Sequence, residues 1–133
     1  MKNKKGFTLI ELMVVISIIG VLALMGFRLY LTQQDYAKNA IVKANAGTVQ
    51  TLIQAELADR NFTIKEAVDD IATEAGLRNP FNNASMENAG DFPDEDEDIA
   101  PGKIKITLSD DGVFSIQGCG ADGLLPDILT ARR

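Results

Sequence analysis

Histidine is absent from this 133-residue chain, and cysteine occurs once, at Cys119. The first absence removes the commonest general acid-base group and the commonest zinc ligand, and most hydrolytic and zinc chemistry goes with it. The second rules out an intrachain disulfide and a multi-cysteine metal site. Cys119 lies between Gly118 and Gly120. It reads as a small packed side chain, with a reactive thiol or an intersubunit bridge as the alternative. Basic charge is also scarce. Setting aside Lys2, Lys4 and Lys5 leaves ten basic against nineteen acidic side chains, a formal −9. So acidic a body is a poor ligand for phosphate backbones, and no direct nucleic-acid binding is expected. The length allows one modest domain.

The amino-terminal third differs from the rest. Residues 7 to 27 form an apolar run of 21 with one charge, Glu11. As a helix rising ~1.5 Å per residue it covers roughly 30 Å, enough to cross a bilayer's hydrocarbon core. Three lysines precede it and Arg28 follows, so the amino terminus should stay in the cytoplasm while the body crosses. A secretory signal shares the basic start and apolar stretch. Against that reading stand the length of the run, the lack of Ala-x-Ala near its far end, and a carboxylate close to its near end. A charge in such a segment costs about 2.5 to 3.5 kcal/mol at the centre, less near the interface, and marks a functional candidate.

Lys4-Lys5-Gly6-Phe7-Thr8-Leu9-Ile10-Glu11 resembles the class III prepilin signal of type IV pilins and the related secretion pseudopilins. The resemblance implies cleavage between Gly6 and Phe7 by a prepilin peptidase, which also methylates the new amino group of Phe7. It implies that Glu11 meets the amino terminus of a neighbouring subunit during assembly. Opposite charges that are each costly in an apolar bundle become tolerable as a pair, and breaking such a pair is expensive. Glu11 would then set register between copies. Partners implied are further copies in a helical filament, the peptidase and methyltransferase, and a pilus or secretion assembly platform. The subunit would wait as a single-pass protein of the cytoplasmic membrane and end in an extracellular or periplasmic filament. Many pilins carry a proline near the position of Arg28, and this chain has none there. Where its stem bends is therefore not given by the resemblance.

Beyond Arg28 the pattern turns amphipathic. Val42, Ala46, Val49 and Ile53, flanked by Leu52 and Leu57, follow helical spacing. No proline interrupts Met1 to Asp59, so one helix is expected from about Phe7 to about Asp59, ~80 Å at ~1.5 Å per residue. Gly20 and Gly26 are the points where it could loosen. Thr63 and Glu66 fit a capping box opening a short helix with a stripe of Ile64, Val68, Ile71 and Ala75, closed by Gly76. Residues 79 to 83 read as a turn and 82 to 102 as an irregular polar loop. Ile104, Ile106 and Leu108, then Phe114 and Ile116, give two half-buried strands joined through Asp110-Asp111-Gly112. Leu124, Leu125, Ile128 and Leu129 add a last strand or a packed tail. The expected class is α+β: leader 1–6, stem helix 7–60 with 7–27 as membrane span and filament core, and a small head 61–133 holding a short helix and an antiparallel sheet.

Five carboxylates run from Asp94 to Asp98. The adopted reading is a solvated acidic face with no cofactor. The alternative is calcium, with Asp94, Asp96 and Asp98 as candidate ligands, although the spacing fits no EF-hand. No catalytic constellation is evident, so an enzyme is not expected. The leading function is a filament subunit, and the alternative is the major pseudopilin of a type II secretion system. Gram-negative adhesive pilins usually close a carboxyl-terminal loop with two cysteines, and one is present here. A signal-anchored binding domain would need a pocket of convergent polar groups within 61–133. Phe27, Tyr30 and Tyr36 on the stem read as apolar packing rather than as an electron path.

Overall fold

The computed structural model describes residues 6–59, 63–94 and 99–132. The chain forms two compact units, Met1–Gln34 and Asp35–Arg133. Helix α1 spans Leu9–Asp59, 51 residues without a break. Every residue from Gly6 to Ala37 is exposed. In the second unit the same helix acquires a buried face: Val42, Ala46, Val49, Ile53 and Leu57 are all under a tenth exposed. Their spacing of three and four keeps them on one side, as expected for a helix lying on a core.

Helix α2 spans Ile64–Glu74. Its capping box forms as expected: the Thr63 hydroxyl accepts from the Glu66 amide, and Glu66 Oε2 accepts from the Thr63 amide at 2.8 Å. These bonds satisfy amides that the first helical turn leaves without partners. Thr63→Ala is expected to cost about 1 kcal/mol, measured as a lower urea midpoint for the head. Val68, Ile71 and Ala72 are buried against α1 and the sheet. Gly76 follows with φ +56°.

Strands β1 (Ile104–Leu108), β2 (Phe114–Gly120) and β3 (Gly123–Ala131) form one antiparallel sheet in the order β1-β2-β3. Ile106 pairs with Ile116, and Ile116 with Leu129. Ile104, Ile106, Phe114 and Ile116 point inward at 0–1% exposure. Burying each such side chain is worth roughly 1.5–3 kcal/mol, so the sheet face and the α1 stripe supply most of the head's cohesion. The far end of β2 lies so close to α1 that a Cβ at Gly118 would overlap the Val42 side chain. Cys119 is buried there, its thiol directed to the Ile99 carbonyl at 3.0 Å.

The open choice between a last strand and a packed tail resolves as a nine-residue strand. Much of β3 is exposed, and what holds it is polar. Along α1, Asn39 accepts from the Ala121 amide at 3.0 Å and Lys43 pairs with Asp127 at 2.5 Å. Gln50 donates to the Thr130 carbonyl at 2.8 Å and Gln54 to the Arg132 carbonyl at 3.2 Å. These four residues recur at helical spacing, and two of them, Gln50 and Gln54, occupy backbone acceptors at the end of β3 and just beyond it that an edge would otherwise present to another chain. The described residues of the stretch expected to be a polar loop, 82–94 and 99–102, are irregular apart from a 3-10 turn at Ala89–Asp91 and a bridge from Ser85 to Arg78. It nonetheless delivers Met86 and Phe92 to the core at 1% and 2% exposure. The α+β class with an apolar helical stem and a small sheet-bearing head is as the sequence implied.

Candidate functional site: the amino-terminal helix and its cap

Helix α1 opens at Leu9, so Thr8 stands at its N-cap and Glu11 three residues into the chain from it. The Thr8 amide and hydroxyl both donate to Glu11 Oε2 at 2.8 Å, and the Glu11 amide donates back to the Thr8 hydroxyl at 3.3 Å. This reciprocal pattern is a capping box. The Glu11 carboxylate therefore has an occupation within its own helix: it serves the amides at the helix start, where negative charge is also favoured by the helix dipole. Thr8 is the residue that the sequence reading passed over. The signal was present, since Thr-x-x-Glu before an apolar run is the same motif that located α2.

Gly6 and Phe7 precede the helix without regular structure, and Phe7 is 85% exposed. A Cβ built on Gly6 meets nothing within 4 Å. Nothing in the described fold demands glycine at that position. Lys4 and Lys5 lie outside the described residues. From Leu9 onward α1 contains a stretch long and apolar enough to cross a membrane, none of it buried within the chain. Its leucines, isoleucines and valines are exposed on all sides as far as Leu31. A helix apolar all round is stable only inside a larger apolar body, whether a bilayer or a bundle of helices.

The other candidates do not converge with this site. Asp94 is exposed, whereas Asp96 and Asp98 lie outside the described residues. Among the described residues no group of three or more His, Cys, Asp or Glu is arranged to hold a metal. The clefts of the head are open and shallow in chemistry. One of about 120 Å3 brings Glu56, Asp70 and Glu74 beside Leu52 and Ile71, well below the ~300–1,000 Å3 usual for small-molecule pockets. A larger one of about 510 Å3 is lined mainly by Leu125, Pro126, Ile128 and Leu129, with the Lys43–Asp127 pair as its polar groups.

Together the residues at the start of α1 present an exposed apolar helix, long enough to cross a membrane and opened by a carboxylate-bearing cap. Residues 1–27 match the family model of the prokaryotic N-terminal methylation motif. The chain is also similar to the fimbrial protein EcpB of Eikenella corrodens, 43% identical over 58 residues that make up 44% of this chain. That match spans 36% of the relative's length. No solved structure matches the chain.

Proposed function

We propose that this chain is the structural subunit of a type IV pilus-like filament. It is held in the cytoplasmic membrane by residues 7–27 with its amino terminus in the cytoplasm. A prepilin peptidase cleaves between Gly6 and Phe7, the new Phe7 amino group is methylated, and an assembly platform draws the subunit into a helical filament through α1. The observation that carries this reading is the uninterrupted exposure of the apolar helix from Leu9 to Leu31, most of which lies within residues 1–27 that match the methylation-motif model. In the membrane that surface faces lipid, and in the filament it faces other copies. The fimbrial name of the similar protein favours a surface pilus over a secretion pseudopilus.

Open space around Gly6 supports a requirement imposed from outside, by a peptidase that accepts only a small residue before the scissile bond. Gly6→Leu is accordingly expected to leave the fold of the chain unchanged and to block processing. Immunoblots should show the longer precursor accumulating in membranes. Recovery of a chain beginning at Phe7 from that variant would count against the assignment of the cleavage site.

The Glu11 carboxylate, held by Thr8 in the single chain, has the chemistry to accept a neighbour's methylated amino terminus when subunits pack. Exchange of one set of donors for a charged one within an apolar bundle would favour the filament register in which the two meet.

A further inference from the structure

If the chain polymerises as proposed above, its head must meet copies of itself through two unlike surfaces, because a helical filament repeats a head-to-tail contact rather than a self-complementary one. Random apposition is unfavourable. Of nineteen acidic side chains only Glu11 precedes Asp35, against four of the thirteen basic ones, so neighbouring heads repel. The charges of the head are, however, unevenly placed.

Helix α2 is acidic on its outer side, with Asp69 and Glu74 exposed and Asp70 half-buried, and it lies against α1 at Leu52, Ile53 and Glu56. Earlier along α1 the sign changes. Lys38 Nζ sits 5.3 Å from the centroid of the Phe81 ring. Asn45 donates to the Arg78 carbonyl at 3.0 Å, which fixes Arg78 beside the same part of the helix. Lys38, Ile41 and Asn45 are spaced by three and four residues and therefore share a face. Lys38 and Ile41, 47% exposed, thus share the face of α1 against which the half-buried Phe81 ring and the Arg78 backbone lie, and the Arg78 side chain is itself exposed. Lys43 has Asp127 at 2.5 Å. Among the described residues neither Lys38 nor Arg78 meets a carboxylate.

We infer that the Lys38–Ile41–Arg78–Phe81 patch receives the acidic outer face of α2, including Asp69 and Glu74, from a second copy of this chain. Complementary charge sets the orientation and suppresses like-charged alternatives, while Ile41 and Phe81 supply apolar contact at the centre. The two surfaces are different parts of one chain, as a head-to-tail polymer requires.

The test is charge reversal and its compensation in cells making the full chain. Lys38→Glu with Arg78→Glu, and separately Asp69→Lys with Glu74→Lys, should each reduce sheared filament about tenfold or more, the factor that 1.4 kcal/mol of lost contact would produce. Membrane levels of the subunit should not change. The four substitutions together should restore filaments to within about threefold, a result that misfolding of either pair would not give. Normal filament yield from both reversed pairs, or no recovery in the combination, overturns the docking surface and leaves the filament reading standing. Absence of filaments from the unaltered chain takes both down. Filaments that assemble normally from Lys38→Glu with Arg78→Glu but no longer retain double-stranded DNA would mean that the patch faces a polyanion instead.

Discussion

Replacing Glu11 by glutamine is expected to leave the chain in the membrane at normal levels and to remove most of its filaments. The substitution separates the cap that Glu11 forms with Thr8 from the assembly role proposed for its charge. Glutamine can serve at the third position of a capping box as well as glutamate does, so the bonds between residue 11 and Thr8 have a neutral substitute. Insertion, which depends on apolarity, should if anything improve. What glutamine lacks is the charge. A neighbour's amino terminus brought into the stem bundle would find no counter-ion, and one uncompensated charge in a buried pair costs about 3–5 kcal/mol. Sheared filament should therefore fall by at least about tenfold, since each 1.4 kcal/mol is a factor of ten. Thr8→Val makes the converse change, losing the hydroxyl cap while keeping the carboxylate, and should cost far less filament. If Glu11→Gln assembles normally and Thr8→Val does not, the carboxylate matters as a helix cap and the register role falls.

The largest effect on the head is expected at Gly102. This residue holds φ +90°, a region costly to any residue with a Cβ. The Cβ would also overlap the side-chain amide of Asn79. Asn79 is the buried polar side chain of the described core, 5% exposed. Its amide group donates to the Pro101 carbonyl at 3.0 Å and accepts from the Phe81 amide at 2.8 Å. Alanine at 102 must therefore strain the backbone and displace a buried group that then loses its partners. The two costs together come to about 3 kcal/mol or more. In urea, where small proteins lose about 1–3 kcal/mol of stability per molar, the midpoint should drop by at least ~1 M, read by pulse proteolysis of the detergent-solubilised chain. Gly47→Ala is the control. Its Cβ meets nothing within 4 Å in the middle of α1, and it should stabilise by roughly 0.5–1 kcal/mol. A midpoint for Gly102→Ala equal to that of the unaltered chain would mean that the loop around Asn79 yields without cost.

Periodic signals in the sequence carried the parts of this fold that arise from one element facing one core. The α1 stripe from Val42 to Leu57 and the alternation in β1 and β2 were legible for that reason, as was the Thr63–Glu66 cap, which is a local motif. The parts that escaped depend on distant partners. Strand β3, left open between a strand and a packed tail, has little apolar alternation, and its place is set by its ladder with β2 and by donors on α1 some eighty residues away, such as Gln50 to Thr130. Met86 and Phe92 are single apolar residues in a polar stretch, with no neighbours at helical or strand spacing to announce them. The fit of Asn79 into the space beside Gly102 leaves no trace in either residue's surroundings in sequence. At the candidate site Glu11 is marked by its charge in an apolar run, and Gly6 and Phe7 by resemblance to a known signal. Thr8 matters through its side chain's bonds to Glu11, a local Thr-x-x-Glu motif that the resemblance does not single out.

In the working protein the chain is expected to begin at a processed and methylated Phe7, two residues before α1. Intact mass and amino-terminal sequencing of the chain recovered from membranes and from sheared surface material test it directly. A chain starting at N-methyl-phenylalanine, abundant in the sheared fraction, is the expected result. A chain that keeps residues 1–6, or one cut beyond residue 20, would contradict the filament account and leave α1 as an anchor or an export signal.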